Sequence, residues 1–143
     1  MTAGFVLGER EQAAIREALA GLERHVDVLL ELGPSSAPVT LLAAGGREVD
    51  TNATTRTIVE SVCGLDDSLT LEVVEHHGPG PWPRTTVGER LVYQGMPVGY
   101  ELTTLVQAIV EAGRSESSLS AGSLERIETL ERDLAIDVFV TPT

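Results

Sequence analysis

Between Gly8 and about Arg24 the apolar residues Ala14, Ile15, Ala18, Leu19 and Leu22 recur every three or four positions, with charges on the opposite side. That spacing predicts an amphipathic helix. Val26, Leu29 and Leu30 could continue the same stripe. Against that, Val26, Val28, Leu30 and Leu32 alternate with His25, Asp27, Leu29 and Glu31, and this alternation with β-branching favours a strand. Gly33, Pro34, Ser35 and Ser36 break the chain, and "PVTLLAA", Pro38 to Ala44, reads as a short buried strand ended by Gly45 and Gly46. Asn52 or Thr51 is then placed to cap a helix with Ile58, Val59, Val62 and Leu65 on its buried face and Gly64 near its end.

From Ser68 to Val74, Leu69, Leu71 and Val73 alternate with Thr70 and Glu72, as a half-buried strand does. "HHGPGPWP", His76 to Pro83, has too many prolines and glycines for any regular element. Thr85 to Val87 and Leu91 to Tyr93 read as antiparallel strands, with Gly88 and Glu89 suited to a type II′ turn between them. Tyr100 to Ala112 is the clearest helix, with Leu102, Leu105, Val106, Ile109 and Val110 on one face and Gly113 as its stop. The polar "RSESSLSAG" reads as a linker. Beyond it, Leu124, Ile127, Leu130 and Leu134 form a helical stripe leading to a strand over Ile136 to Val140.

This order predicts an α/β layered sheet: a parallel pair joined by a helical crossover, an antiparallel hairpin and a closing helix. "LERDLAIDVFV" near the end echoes "LERHVDVLLEL" at residues 22–32, which suggests a second copy of the fold starting near Ser120. The expected division is a first domain over 1–114, a linker over 115–122, and the opening helix and strand of a second unit over 123–143.

Composition narrows the partners. The 143 residues are 42% hydrophobic and carry a net charge of −12, from 22 acidic against 10 basic side chains spread along the chain. A surface of that sign repels phosphate backbones and anionic lipid, so neither nucleic acid nor a membrane surface is expected as a partner. No apolar run approaches the ~20 residues that span a bilayer, and the N-terminus lacks a signal-peptide layout, so the chain reads as cytoplasmic. Cys63 is the only cysteine, which rules out an internal disulfide or a Cys-x-x-Cys centre within this chain.

Few residues invite chemistry. Cys63 lies beside an apolar helical stripe, where a buried, inert thiol is the plain expectation. Glu75, His76 and His77 are adjacent on an extended chain, so their side chains alternate in direction, and no metal site is expected. Trp82, the only tryptophan, either covers the hairpin core or presents an exposed anchor. "AAGGREVD" lacks the spacing of a dinucleotide loop, no Ser-His-Asp set stands out, and no cofactor is implied.

With the element order established, "WPRTTV", residues 82–87, is similar to the stretch that enters the third strand of thioredoxins, where the proline is cis. "LVYQGMPVGYELTTLVQAIVEAG", residues 91–113, resembles the hairpin-to-helix segment in the first half of tandem thioredoxin-like proteins. Those are the archaeal-type protein disulfide oxidoreductases and the N-terminal domain of the alkyl hydroperoxide reductase flavoprotein subunit. The resemblance implies a thioredoxin-like fold, a mixed central sheet with flanking helices, plus the first helix and strand of a second such unit. It also implies that Pro83 is cis, the alternative being an ordinary trans loop proline. "DVFVTPT", residues 137–143, resembles the strand that begins the second half, where Cys-Pro-x-Cys follows at once.

The first half's own dithiol position falls within "GGREVDTNATTRT", residues 45–57, which has no cysteine. Tyr100 stands where the family usually has histidine, and Glu101 matches a glutamate that faces the second dithiol; the helix dipole alone would also account for a carboxylate there. Trp82, Pro83, Tyr100 and Glu101 are therefore the candidate docking or tuning residues, and no residue is expected to be catalytic. The function implied is a redox-inactive scaffold half of a two-domain disulfide reductase system, partnered by a second thioredoxin-like domain or a reductase. The alternative is a stand-alone regulatory protein that forms a homodimer through Ile136 to Val140. A third reading has the natural product continuing past Thr143 into an active site.

Overall fold

The computed structural model describes residues 6–34, 39–41 and 46–140. In chain order the elements are α1 (Glu9–Leu19), β1 (Val26–Leu32), β2 (Val39–Leu41), β3 (Arg47–Val49), α2 (Thr51–Cys63), β4 (Leu69–Glu75), β5 (Arg84–Val87), β6 (Leu91–Gln94), α3 (Tyr100–Ala112) and α4 (Ala121–Glu128). Four strands form the main sheet in the order β4-β1-β5-β6. β1 runs parallel to β4 from Val26↔Leu69 to Leu32↔Glu75, with α2 in the crossover, and antiparallel to β5 from Val28↔Val87 to Glu31↔Arg84. β5 and β6 close the hairpin from Arg84↔Gln94 to Val87↔Leu91.

Alternation along β1 decides which face is the core. Val26, Val28, Leu30 and Leu32 are buried, and Thr85 and Val87 lie on the same face through the β1–β5 register. Gly113, at the end of α3, lies against Val26, and α1 packs on α3. α2 also packs on β1 and β4, yet Asp27, Thr70 and Glu72 on the opposite face of those strands are exposed. Hence α1, α2 and α3 all cover one face of the sheet. The core they enclose includes Leu19, Leu30, Ile58, Val59, Val62, Leu105 and Ile109, each at most 1% exposed. Half-buried Leu29 and Thr86 remain on the uncovered face.

Several elements differ from the sequence expectation. α1 stops at Leu19, short of Arg24, and Gly8 is its N-cap. The cap of α2 is Asp50, whose carboxylate accepts the Ala53 N–H at 3.0 Å, and not Thr51 or Asn52. Asn52 lies inside the helix, free to use its amide elsewhere. The expected strand over Pro38 to Ala44 is β2, three residues long, and it gains a partner, β3, that the hydrophobic pattern does not announce; the two form a separate hairpin between β1 and α2. Pro38, Leu42 to Ala44 and Gly45 lie outside the described residues. The β5–β6 connection is the three-residue loop Gly88–Arg90, not a two-residue turn, with Gly88 at φ 60°.

The largest departure is at the C-terminal side. α4 ends at Glu128, so Leu130 and Leu134 fall outside it, and residues 133–140 form no strand. An extended segment becomes a strand only when another backbone pairs with it, and none does here among the described residues. Ile136, Val138, Phe139 and Val140 are 64–94% exposed. Within the stretch read as a linker, the backbone N–H and hydroxyl of Ser115 both donate to Glu23 and the hydroxyl of Ser118 donates to Glu111.

Thr85 carries a testable oddity. Its hydroxyl is fully buried on the core face and has no hydrogen-bond partner among the described residues. An unmade hydrogen bond at a buried hydroxyl costs about 1–3 kcal/mol. Thr85→Val keeps the shape and the strand preference, so it is expected to raise stability by about 1 kcal/mol in urea unfolding. A loss of stability would mean that the hydroxyl has a partner.

Candidate functional site

The carboxyl ends of β1 and β4, the first residue of β5, the last of β6 and, through residues 95–99, the start of α3 all meet at one end of the sheet. Crevices outside the carboxyl ends of parallel strands are the usual ligand positions in α/β sheets. In this chain that end is organised around Glu31, which is 8% exposed and lies near the close of β1. Its Oε2 accepts from Arg84 Nε at 2.8 Å and Nη2 at 2.6 Å, and its Oε1 is 3.1 Å from His76 Nε2. Register puts Glu31 opposite Arg84, and β4 delivers His76 one residue past its end. Burial pushes the Glu31 carboxyl up, but the bonds and charges of Arg84 and His76 outweigh it and leave the pKa below its ordinary value.

Trp82 completes the cluster. Its indole lies flat on His76, with ring centroids 4.0 Å apart and planes within 2°, and the Arg84 guanidinium is 5.6 Å from its centroid. The indole N–H donates to Gly78 O at 3.2 Å. Gly33 and Gly80 make this placement possible: a Cβ at either would come within 2.2 or 2.4 Å of the ring. The Trp82–Pro83 peptide bond is cis, Pro83 is buried, and Pro83 O accepts from Gly95 N at 2.9 Å. Trp82, partly buried, lies across the carboxyl end of β1.

Beside the indole is a cavity of about 350 Å³, lined by Leu32, Gly33, Asn52, Arg56, His76 and His77 among others. The first turn of α2 forms one wall, and buried Asn52 ties it to the end of β1 by accepting from Gly33 N at 3.0 Å and donating to Pro34 O at 3.4 Å. Arg56 is bound to Glu60 and Glu75 at 2.9 and 2.8 Å. A nucleophilic thiol at a helix N-terminus would be lowered in pKa by the helix field. No cysteine occupies this turn. Cys63 is twelve residues further along α2, roughly 18 Å away at 1.5 Å per residue. It is buried, and burial raises its thiol to about 11.

The other two candidates occupy the start of α3. Tyr100 is 78% exposed, and Glu101, partly buried in the first turn, makes no bond to the Glu31 cluster. Its charge is felt at Tyr93, which is raised to about 12 by burial first and by Glu101 second. Glu75 and His77 do not join His76 around a common point, and among the described residues no three of His, Cys, Asp and Glu are placed to hold a metal ion. Among those residues, too, no helix is long and apolar enough to cross a membrane. Sequence reasoning missed Glu31, Arg84 and Asn52. The one visible signal was an acid near the end of an apolar strand, but its partner is 53 residues away and emerges only from the register.

The architecture is thioredoxin-like. Three solved structures share it: the alkylhydroperoxide reductase AhpF of Enterococcus faecalis (TM-score 0.68, 19% identity, 87% of this chain and 61% of that one), the N-terminal N/C domain of the same protein (0.66, 19%, 85% and 60%), and a protein disulfide oxidoreductase from Aeropyrum pernix (0.71, 20%, 88% and 56%). The chain therefore spans about three fifths of the length of these neighbours. No protein-family model matches it, and no curated protein does.

Proposed function

We propose that this chain is a non-catalytic thioredoxin-like domain that serves as the scaffold and docking half of a two-unit, cytoplasmic disulfide-reducing system. The observation that carries this reading is the thiol-free first turn of α2, with the one cysteine buried and pushed up to about 11. Thiol–disulfide exchange needs an accessible thiolate and a resolving thiol, and one buried thiol supplies neither. The exposed apolar residues Leu124, Ile127, Leu130, Leu134, Ile136 and Phe139 support a docking role, because that much apolar surface is what partners cover. The partner is a second thioredoxin-like unit, attached or separate, toward which Tyr100 and Glu101 are the candidate contacts. The named activities of the structural neighbours favour a disulfide or peroxide reductase as the setting.

The test is reduction of insulin disulfides by the purified chain in the presence of dithiothreitol. The expected rate equals that of dithiothreitol alone and is unchanged in Cys63→Ser. Turnover that Cys63→Ser abolishes would refute the proposal. A second reading, self-association, is favoured by the open trough of about 990 Å³ between β6 and residues 133–140, neither of which has a strand partner on that side among the described residues. Light scattering decides it: a stable monomer at high protein concentration removes that reading and leaves the scaffold one standing.

A further inference from the structure

The two edges of the main sheet are guarded unequally. Along β4, Thr70 and Glu72 are exposed and the Glu75 side chain is 64% exposed, and acidic side chains at an edge deter a second backbone from pairing there. β6 carries no such defence. From Leu91 to Gln94 it holds no charge and no proline, Leu91 and Val92 are 42% and 54% exposed, and among the described residues no strand lies on its outer side. Residues 133–140 complement that edge: they form no regular element, make no backbone hydrogen bond among the described residues, and line the same trough as Arg90, Val92, Tyr93 and Gln94. We propose that residues 134–140 close on β6 of their own chain as a fifth strand, guarding this edge against pairing with another molecule.

Charge, pattern and tethering choose this occupant. Arg90 lines the trough from the hairpin and Asp133 and Asp137 line it from the other side, and among the described residues none of the three has an ion pair or hydrogen bond to satisfy it. Closure brings opposite charges together. Leu134, Ile136, Val138 and Val140 alternate with Ala135, Asp137 and Phe139, so pairing sets one group beside Val92, on the face that also carries Leu29 and Thr86. Pairing also supplies partners for two rows of backbone N–H and C=O groups that have none in a strand ladder. A segment tethered to its own edge meets it at an effective concentration of about a millimolar, which a dilute second copy does not reach. The inference therefore stands apart from the scaffold reading and opposes the self-association reading, which uses the same edge.

Disulfide trapping in the full chain tests this. Val92→Cys is combined in turn with Ala135→Cys, Ile136→Cys, Asp137→Cys, Val138→Cys and Phe139→Cys. All six positions are exposed, so the substitutions leave the core intact, and Cys63 is buried with its thiol raised to about 11, which keeps it out of the exchange. Paired strands bring Cβ atoms within disulfide reach only for neighbours on the same face. The expected result under a mild oxidant is an intramolecular disulfide at alternate positions of the segment, formed roughly tenfold faster than at the positions between them and in a yield that does not depend on protein concentration. Equal trapping at all five positions, or trapping at none, would overturn the proposal. Disulfide-linked dimers whose yield grows with concentration would overturn it in favour of a second copy. The insulin assay uses the chain without these cysteines, so the two proposals fail separately.

Discussion

Leu30→Ala is expected to lower the unfolding free energy by about 4 kcal/mol, while Leu29→Ala, one residue away, costs less than half of that. The two leucines share a strand, a neighbour on each side and nearly the same local sequence. They differ in the face they occupy. Leu30 is 0% exposed, in the layer between the sheet and the helices, and a packed layer relaxes only partly around the space that a truncated side chain leaves. Leu29 sits on the face opposite α1, α2 and α3 and is only half-buried. Urea unfolding monitored by circular dichroism at fixed pH measures both. Equal losses would mean that the second face is covered after all, either by α4 and the segment after it or by another molecule, and the one-sided arrangement of α1, α2 and α3 would need revision.

That one-sidedness is partly legible in the sequence. Period-two alternation over Val26 to Leu32 and Leu69 to Val73, and the three-and-four spacing over Tyr100 to Ala112, locate β1, β4 and α3 within a residue or two because burial on a single face leaves a clean periodic trace. Arg47–Val49 leaves no such trace, since two of its three residues are charged and it pairs only with the short β2. The cap of α2 is ambiguous in the sequence because Asp50, Thr51 and Asn52 are all good capping residues, and which of them serves depends on where Gly33 draws Asn52. The strand expected over Ile136 to Val140 has the right composition, but β propensity describes a side chain that fits a pleated surface, and among the described residues no strand pairs with this segment. Resemblance located Trp82 and Pro83 at the end of the sheet. It gave no hint of Glu31, whose role exists only because register brings Arg84 opposite and His76 alongside.

Glu31 is also where removing a single carboxylate has the clearest pH signature. Glu31→Ala is expected to cost about 3 kcal/mol near neutral pH, the lower end for breaking a buried ion pair, because Arg84 and His76 are each about a third exposed and recover part of their hydration. The loss combines three bonds to the carboxylate with release of the clamp that joins β1, β5 and the end of β4. The sign of the pH dependence follows from a pKa held below the ordinary 4.5 in the folded chain. A carboxyl lowered by folding contributes its full stabilisation above its unfolded value and loses it as pH falls through its folded value. The gap between wild type and Glu31→Ala should therefore be fully present just above about pH 5 and shrink steadily below 4.5. Urea titrations of both chains over that range check this. A gap that does not change with pH would show that Glu31 acts through the volume it fills and not through its charge, and the electrostatic account of this end of the sheet would fall with it.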